Sequence, residues 1–392
     1  MSERRFDVVV FGATGFTGKL VAAYLTRKRA REPFTFALAG RSLEKLEQVR
    51  ASLAAIDPGA AAIELLVADA SDRASLEAVA AEARVVLTTV GPFALHGEPL
   101  VAACVAKGTD YVDITGEPEF VDRLIVGYDE AARAAGVRVV NCCGFDSIPH
   151  DLGVLFTLGA LPKGARITIE GCVRSSGTYS GGTWQSAVNA FAHLGEARRR
   201  AREARRAATG GRSVRGVRPS LRWEPRLSSW LVPLPTIDPQ VVLRSARALD
   251  DYGPEFRYGH YAQVKHLSTL VGGAVALAGI VAAAQVPLAR RALERLRPSG
   301  AGPSEAERAK ARFAVTFLAR GDGVSLTTRV SGGDAGYDET AKMLSESALC
   351  LARDRERLPA RAGVLTPAVA MGTQLIARLQ AAGLRFETVD PG

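Results

Sequence analysis

Along its first 150 residues the chain alternates short apolar runs with longer amphipathic ones. Phe6 to Phe11 (FDVVVF) is a β-rich run that stops at a glycine. Phe34 to Ala39, Ile63 to Val67, Val85 to Val90, Tyr111 to Ile114 and Val137 to Cys142 repeat the pattern. Between them lie stretches with helical spacing: Lys19 to Arg31, Leu43 to Ala55, Arg73 to Ala83, a segment containing Leu100 to Ala106, and Phe120 to Ala135. Apolar strands separated by amphipathic helices make a parallel sheet covered on both faces. The pattern predicts an α/β, doubly wound (Rossmann-type) domain over residues 1–150. Its ligands are expected at the carboxyl ends of the strands.

Beyond residue 150 the pattern changes. Ile167 to Ser175 reads as a strand, Gly177 to Gly182 as a glycine/serine turn and Trp184 to His193 as a helix. Thr209 to Pro225 has no periodicity and reads as loop. After a hinge from Pro298 to Ser304 come a strand pair, Phe313 to Ala319 and Gly323 to Val330, and then helices over Ala341 to Leu351 and Val364 to Ala382. An inserted second α+β domain over 151–335 follows, with a C-terminal helical return, 336–392, packing back on the first domain. Residues 267–289 carry no charge, and a bilayer crossing takes ~20 apolar residues. Ala and Gly dominate this run, Gln285 and Pro287 interrupt it, and it lacks aromatic anchors. It reads as core helix, membrane-dipping helix or acyl-tunnel wall, with membrane association or an apolar substrate wall favoured over a full crossing.

The 392 residues are 47% apolar and 23% charged, which excludes a disordered or collagenous chain. The net charge of +9 is uneven. Residues 1–150 hold 16 Lys and Arg against 20 Asp and Glu, so the basicity belongs to the remainder. A cluster at Arg198, Arg199, Arg200, Arg202, Arg205 and Arg206 could dock an acidic carrier protein, face an anionic membrane surface or form a solvated helix face. No aromatic interleaving accompanies it, so nucleic acid is not an expected partner. Five cysteines form no C-x-x-C pair and no His-linked spacing, so no metal site is expected. With no secretory start, a cytoplasmic location is expected, with peripheral association at the inner face of the plasma membrane open.

Gly12-Ala13-Thr14-Gly15-Phe16-Thr17-Gly18 follows the first strand and opens a helix, the context a dinucleotide loop requires. Gly12 suits the turn, Gly15 admits a pyrophosphate and Gly18 permits close helix–sheet packing, while the helix N-terminus offers free N–H groups. The second strand ends at Arg41 and Ser42, where NAD enzymes carry an acid for the ribose 2′-hydroxyl. A guanidinium and a hydroxyl there suit a 2′-phosphate, so NADP(H) is the expected cofactor. Asp69, ending the third strand, could meet the adenine amine or cap a helix with Ser71. Gly91 and Pro92, ending the fourth, lie on the expected nicotinamide side.

The runs VVVFGATGFTGKL, AGRS, VGPF, DYVDITGE and NCCGFDSIPHDLG resemble the saccharopine dehydrogenase-like oxidoreductases, and more closely their trans-acting enoyl reductase branch. TIDPQVVLRSARAL, YGPEFRYGHYAQVK and GVLTPAVAMGTQLIARL extend the resemblance over nearly the whole chain. It implies NADPH-dependent reduction of an enoyl thioester on a carrier protein or polyketide synthase that lacks its own reductase, in the making of lipid or glycolipid precursors.

Such a reduction needs a hydride at the β-carbon, a donor for the enolate oxygen and a proton for the α-carbon. Asp146 and His150 sit where the sixth strand enters the second domain and could supply or orient that proton; Asp146 and Ser147 could instead merely cap the next helix. Tyr261 and Lys265 have the spacing of a catalytic Tyr–Lys pair, outside its usual domain. Ser175 to Thr183 could bind a thioester carbonyl or form a plain turn. Two other readings stay open. A saccharopine-type dehydrogenase would use Arg174 and Arg244 as carboxylate clamps, and a nucleotide-binding sensor or lipid-surface protein would have no turnover.

Overall fold

In the computed structural model, residues 4–176, 212–266 and 302–389 are described, with isolated positions between 279 and 289. The turn at 177–182, the helix at 184–193 and the arginine cluster lie outside the described residues, as does nearly all of the uncharged run 267–289. Among the described residues no helix is long and apolar enough to cross a membrane.

The first sheet is parallel. It contains β1 (Phe6–Phe11), β2 (Phe36–Gly40), β3 (Glu64–Val67), β4 (Ala83–Thr88), β5 (Asp110–Asp113), β6 (Arg138–Val140) and β14 (Gly363–Leu365), in the order β14-β6-β5-β4-β1-β2-β3. The reversal of order at β1 creates the crevice in which such sheets bind ligands. Alternation along β1 sends Val8 and Val10 into one core and Val9 and Phe11 into the other. The second of these cores is closed by α3 (Arg73–Glu82), α4 (Phe93–Lys107) and α5 (Pro118–Ala134). The first takes in α1 (Phe16–Arg29), α2 (Leu43–Leu53) and α6 (Ile148–Leu158).

The second sheet is mixed, in the order β15-β13-β12-β7-β11-β10-β9, with β8 pairing β11. Its strands are β7 (Ile167–Ser175), β8 (Ser213–Gly216), β9 (Arg222–Glu224), β10 (Ser229–Pro233), β11 (Glu255–Val264), β12 (Phe313–Gly321), β13 (Val324–Gly332) and β15 (Arg385–Val389). Ile169, Tyr258 and Phe317 share one buried cluster with Val8 and Val10, so a continuous core joins the sheets through the helices between them. Those helices include α7 (Asp238–Ala248), α9 (Asp338–Arg353) and α10 (Pro367–Ala381), while the short α8 (Glu305–Lys310) is exposed and begins with a capping box at Ser304.

Three expectations need correction. The segment 209–225 is not all loop, because β8 and β9 form by pairing with β11 and β10. Between the expected hinge, 298–304, and β12 lies a short helix, α8, that the pattern did not predict. The C-terminal return is not helical throughout: β14 extends the first sheet beside β6, and β15 extends the second beside β13. Tertiary pairing decides these short runs, which carry too few residues for periodicity to show.

The return is held by ions as well as by apolar contact. Arg378 of α10 reaches Glu32 at 2.8 Å and Glu346 at 3.1 Å, and pairs with Asp354. The Glu346 side chain is fully buried and also meets Lys28 Nζ at 2.8 Å and Tyr24 Oη at 2.5 Å, both from α1.

Candidate functional site

The glycine loop has the shape its sequence implied. Gly12 adopts φ +88, and its N–H donates to the Ala39 carbonyl at 2.9 Å. A Cβ at Gly18 would lie 2.1 Å from the Gly12 carbonyl oxygen and 2.9 Å from Ala13 Cα, so only glycine fits there. Gly15 is exposed and would gain no contact closer than 3.4 Å, which leaves its outer side open to a ligand. The α1 N-terminus has no side-chain cap and no acidic residue in its first turn, as an anion site requires. Ala13 is buried, and Thr14 and Thr17 are half-buried. Phe16 points away from the loop, edge-on to Tyr337 at 4.8 Å, with the Arg308 guanidinium 5.6 Å from its ring.

Arg41 is exposed, and among the described residues no carboxylate forms an ion pair with it. Ser42 caps α2 by accepting from Lys45 N at 3.3 Å. Asp69 does not cap α3; Asp72 does. The Asp69 carboxylate accepts from the Ser71 hydroxyl at 2.7 Å and the Ser71 N–H at 2.8 Å. These bonds hold its pKa below the usual range, with Arg41 and His96 adding to the effect. Replacing Arg41 by alanine should weaken NADPH binding by roughly 10- to 100-fold, the worth of a charge-assisted phosphate contact, while leaving NADH nearly unchanged. Equal losses for the two nucleotides in a fluorescence titration would refute that role.

The turns after β4, β5 and β6 are locked together. The Gly91–Pro92 bond is cis, and the first N–H groups of α4, on Phe93 and Ala94, donate to the Glu117 carboxylate at 3.1 and 2.8 Å. Asp113 is fully buried and accepts from Tyr111 Oη, Thr115 N, Asn141 Nδ2 and Cys142 N at 2.7–3.1 Å. Burial nevertheless pushes its carboxyl up to about 6. Cys142 takes the left-handed conformation at φ 63, and burial raises the thiols of both Cys142 and Cys143.

This frame places Asp146 just past the carboxyl end of β6. Neither Asp146 nor Ser147 caps α6 with its side chain, and the Ser147 hydroxyl donates instead to the Asp146 carbonyl at 2.6 Å. The Asp146 carboxylate faces Gly116 of the turn after β5, where a Cβ would approach Oδ2 to 3.2 Å. Burial, followed by the charge of Asp238, pushes its carboxyl up to about 6.

His150 lies one turn further along α6, 2% exposed. Its Nδ1 lies 2.7 Å from Asp238 Oδ1, and His260 Nε2 lies 3.5 Å from Asp238 Oδ2. Asp238 opens α7 and His260 stands on β11. The two imidazoles meet edge to face at 4.8 Å. Burial pushes His260 down to about 4. Asp238 and His260 were missed by the sequence reading; the available signal was a histidine on the face of β11 that also carries Phe256 and Tyr258.

Tyr261 sits elsewhere. As the next residue on a pleated strand it points to the opposite face from His260. There it is buried among Cys172, Leu231 and Leu318, under the Arg222 guanidinium at 5.0 Å. Lys265 lies four residues along the strand direction, ~13 Å away rather than one helical turn. The structure therefore brings Asp146 and His150 together and leaves Tyr261 apart. Arg244 is tied to the Val364 carbonyl at 2.9 Å, while Arg174 is exposed. Of the Ser175 to Thr183 stretch, only Ser175 and Ser176 lie among the described residues. Ser176 is bonded to Arg312 through both backbone and hydroxyl.

The family model of the saccharopine dehydrogenase NADP binding domain matches residues 8–140. A Mycobacterium tuberculosis protein whose name includes trans-acting enoyl reductase is 38% identical over 421 residues, 99% of this chain and 98% of its own. The trans-acting enoyl reductase of Mycobacterium leprae is 36% identical over 420 residues, 98% of each chain. Saccharopine dehydrogenase (L-Glu forming) from Saccharomyces cerevisiae covers 98% of this chain and 99% of its own at a TM-score of 0.56. At 13% identity that is a likeness of fold. The first domain takes NADP(H). Sharing more than a third of its residues with these relatives over essentially its full length, the chain belongs to the family of the trans-acting enoyl reductases, on the saccharopine dehydrogenase fold.

Proposed function

We propose that this NADP-dependent oxidoreductase reduces the carbon–carbon double bond of a 2-enoyl thioester carried by a separate protein, such as a polyketide synthase lacking its own reductase, in lipid or glycolipid assembly. The observation that carries the reading is the position of Asp146. It is a half-buried carboxyl just past the carboxyl end of β6, beside the Gly116 turn and at the start of the helix that leads into the second domain. NADPH supplies the hydride for the β-carbon. The residues around it must orient the thioester, exclude water and deliver a proton to the α-carbon. A carboxyl raised to about 6 retains its proton in part of the population near neutral pH, which suits that last task. Peripheral membrane contact and carrier docking would fall to the arginine cluster and the uncharged run, outside the described residues.

The test is NADPH oxidation by the purified full chain with 2-enoyl thioesters of varied chain length on coenzyme A and on carrier protein. NADH and saccharopine-pathway substrates serve as controls. Turnover confined to enoyl thioesters, with NADPH preferred, is expected. Asp146→Asn should lower kcat by ~10²–10⁴ while leaving NADPH affinity unchanged. Tight NADPH binding with no oxidation by any enoyl thioester would favour a nucleotide-binding sensor instead.

A further inference from the structure

The buried junction between the two sheets holds a group of side chains that the hydride chemistry does not account for. His150 from α6, Asp238 from the start of α7 and His260 from β11 converge so that one ligating atom from each lies within 4.8 Å of the others. They are 2%, 2% and 7% exposed. Among the described residues, Asp238 forms ion pairs only with the two histidines, and no Lys or Arg reaches it. A carboxylate removed from water needs a positive partner.

The polar atoms there are also left over. His150 Nδ1 and Nε2, Asp238 Oδ1 and His260 Nε2 are buried without an aligned hydrogen-bond partner. Native interiors leave few such atoms, and an ion or water commonly accounts for those that remain. On His260 and Asp238, by contrast, the other polar atom is secured. Tyr258 Oη lies 3.3 Å from His260 Nδ1, and the Thr236 hydroxyl donates to Asp238 Oδ2. Metal-ligating histidines and carboxylates are held in this way by their remaining atoms.

We infer that His150, Asp238 and His260 form a binding site for one divalent transition metal ion of the zinc class. Two imidazoles and a carboxylate suit such a borderline ion rather than magnesium or calcium. At bond lengths of ~2.0–2.1 Å, ligand atoms of a tetrahedral ion stand ~3.3 Å apart. His150 Nδ1 stands 2.7 Å from Asp238 Oδ1 and His260 Nε2 stands 3.5 Å from the other oxygen, Oδ2, while one ligand atom from each residue fits within 4.8 Å, so an ion would draw the three side chains together. Three protein ligands leave a fourth position open, the pattern of sites where a metal meets water or substrate. The inference does not depend on the enoyl reductase reading, since metal uptake can be measured without turnover.

The full-length chain, purified without chelator, is analysed for metal content. After dialysis against a chelator it is titrated with Zn²⁺ against a chromophoric competitor and, separately, with Co²⁺. About one equivalent of tightly bound Zn²⁺ is expected, together with visible Co²⁺ absorption bands of nitrogen/oxygen coordination. Asp238→Asn and His260→Gln should abolish both. Tyr258→Phe keeps all three ligands and should weaken Zn²⁺ binding by ~10–100-fold. The Co²⁺ spectrum of the unaltered chain decides the matter even if the ligand variants fail to fold. Less than a tenth of an equivalent bound at micromolar Zn²⁺, or equal binding by the folded Asp238→Asn chain, would overturn the site. The cluster would then be a carboxylate neutralised by a shared proton.

Discussion

Replacing Gly18 by alanine is expected to abolish useful NADPH binding, with affinity falling by ~100-fold or more. The added Cβ would stand 2.1 Å from the Gly12 carbonyl oxygen and 2.9 Å from Ala13 Cα, both backbone atoms with no rotamer to yield. The loop must therefore open away from α1, and the N–H groups that would receive a pyrophosphate move with it. Overpacking of this kind costs ~1–3 kcal/mol of stability. The larger effect falls on binding, where ~3 kcal/mol corresponds to ~100-fold. Fluorescence titration with NADPH is the measurement, and a variant that binds within a few-fold of the parent would show that the loop does not form the cofactor cradle. The parallel alanine change at Gly15, whose outer side is open, should leave the fold intact and act on affinity alone.

The second large effect is one of stability. Arg378→Met should cost ~3–5 kcal/mol, the usual penalty for stripping a buried charge of its partner. Arg378 gathers Glu32, Glu346 and Asp354, and the Glu346 carboxylate is wholly buried. Without the guanidinium it keeps only Lys28 and the Tyr24 hydroxyl. Arg378→Lys should recover only a minor part, since a single ammonium cannot span three carboxylates. Chemical denaturation decides this, and a midpoint unchanged in Arg378→Met would mean that the network contributes nothing net.

Most of the first domain was legible because its signals are local. A β-rich run ending at Gly12, a glycine every third residue and a helix behind them specify a dinucleotide loop without any distant contact. The position of Arg41 was legible for the same reason, as the residue that follows the second strand. What was not legible depends on pairing or on convergence. GVL at 363–365 is a three-residue run, and only the free edge of β6 makes it a strand. The segments that became β8 and β9 are strands because β11 and β10 lie beside them. His150, Asp238 and His260 are far apart in sequence, and no spacing rule links them. Tyr261 shows the opposite failure. Its spacing to Lys265 matches that of a catalytic Tyr–Lys pair, whereas the chain there is a strand and the pleat turns His260, not Tyr261, toward α6.

The C-terminal segment contributes an edge strand to each sheet, and this bears on how the chain is made. During synthesis β6 emerges more than two hundred residues before β14, and β13 leaves the ribosome before β15. Neither sheet can complete its edge until β14 and β15 have been synthesised, so each domain stays unfinished until this segment has emerged. Until then the backbone groups along β6 and β13 face outward unpaired. A nascent chain thus exposes two unpaired strand edges, the feature that invites edge-to-edge association, and a chain truncated after α9 has two unfinished sheets rather than one intact domain.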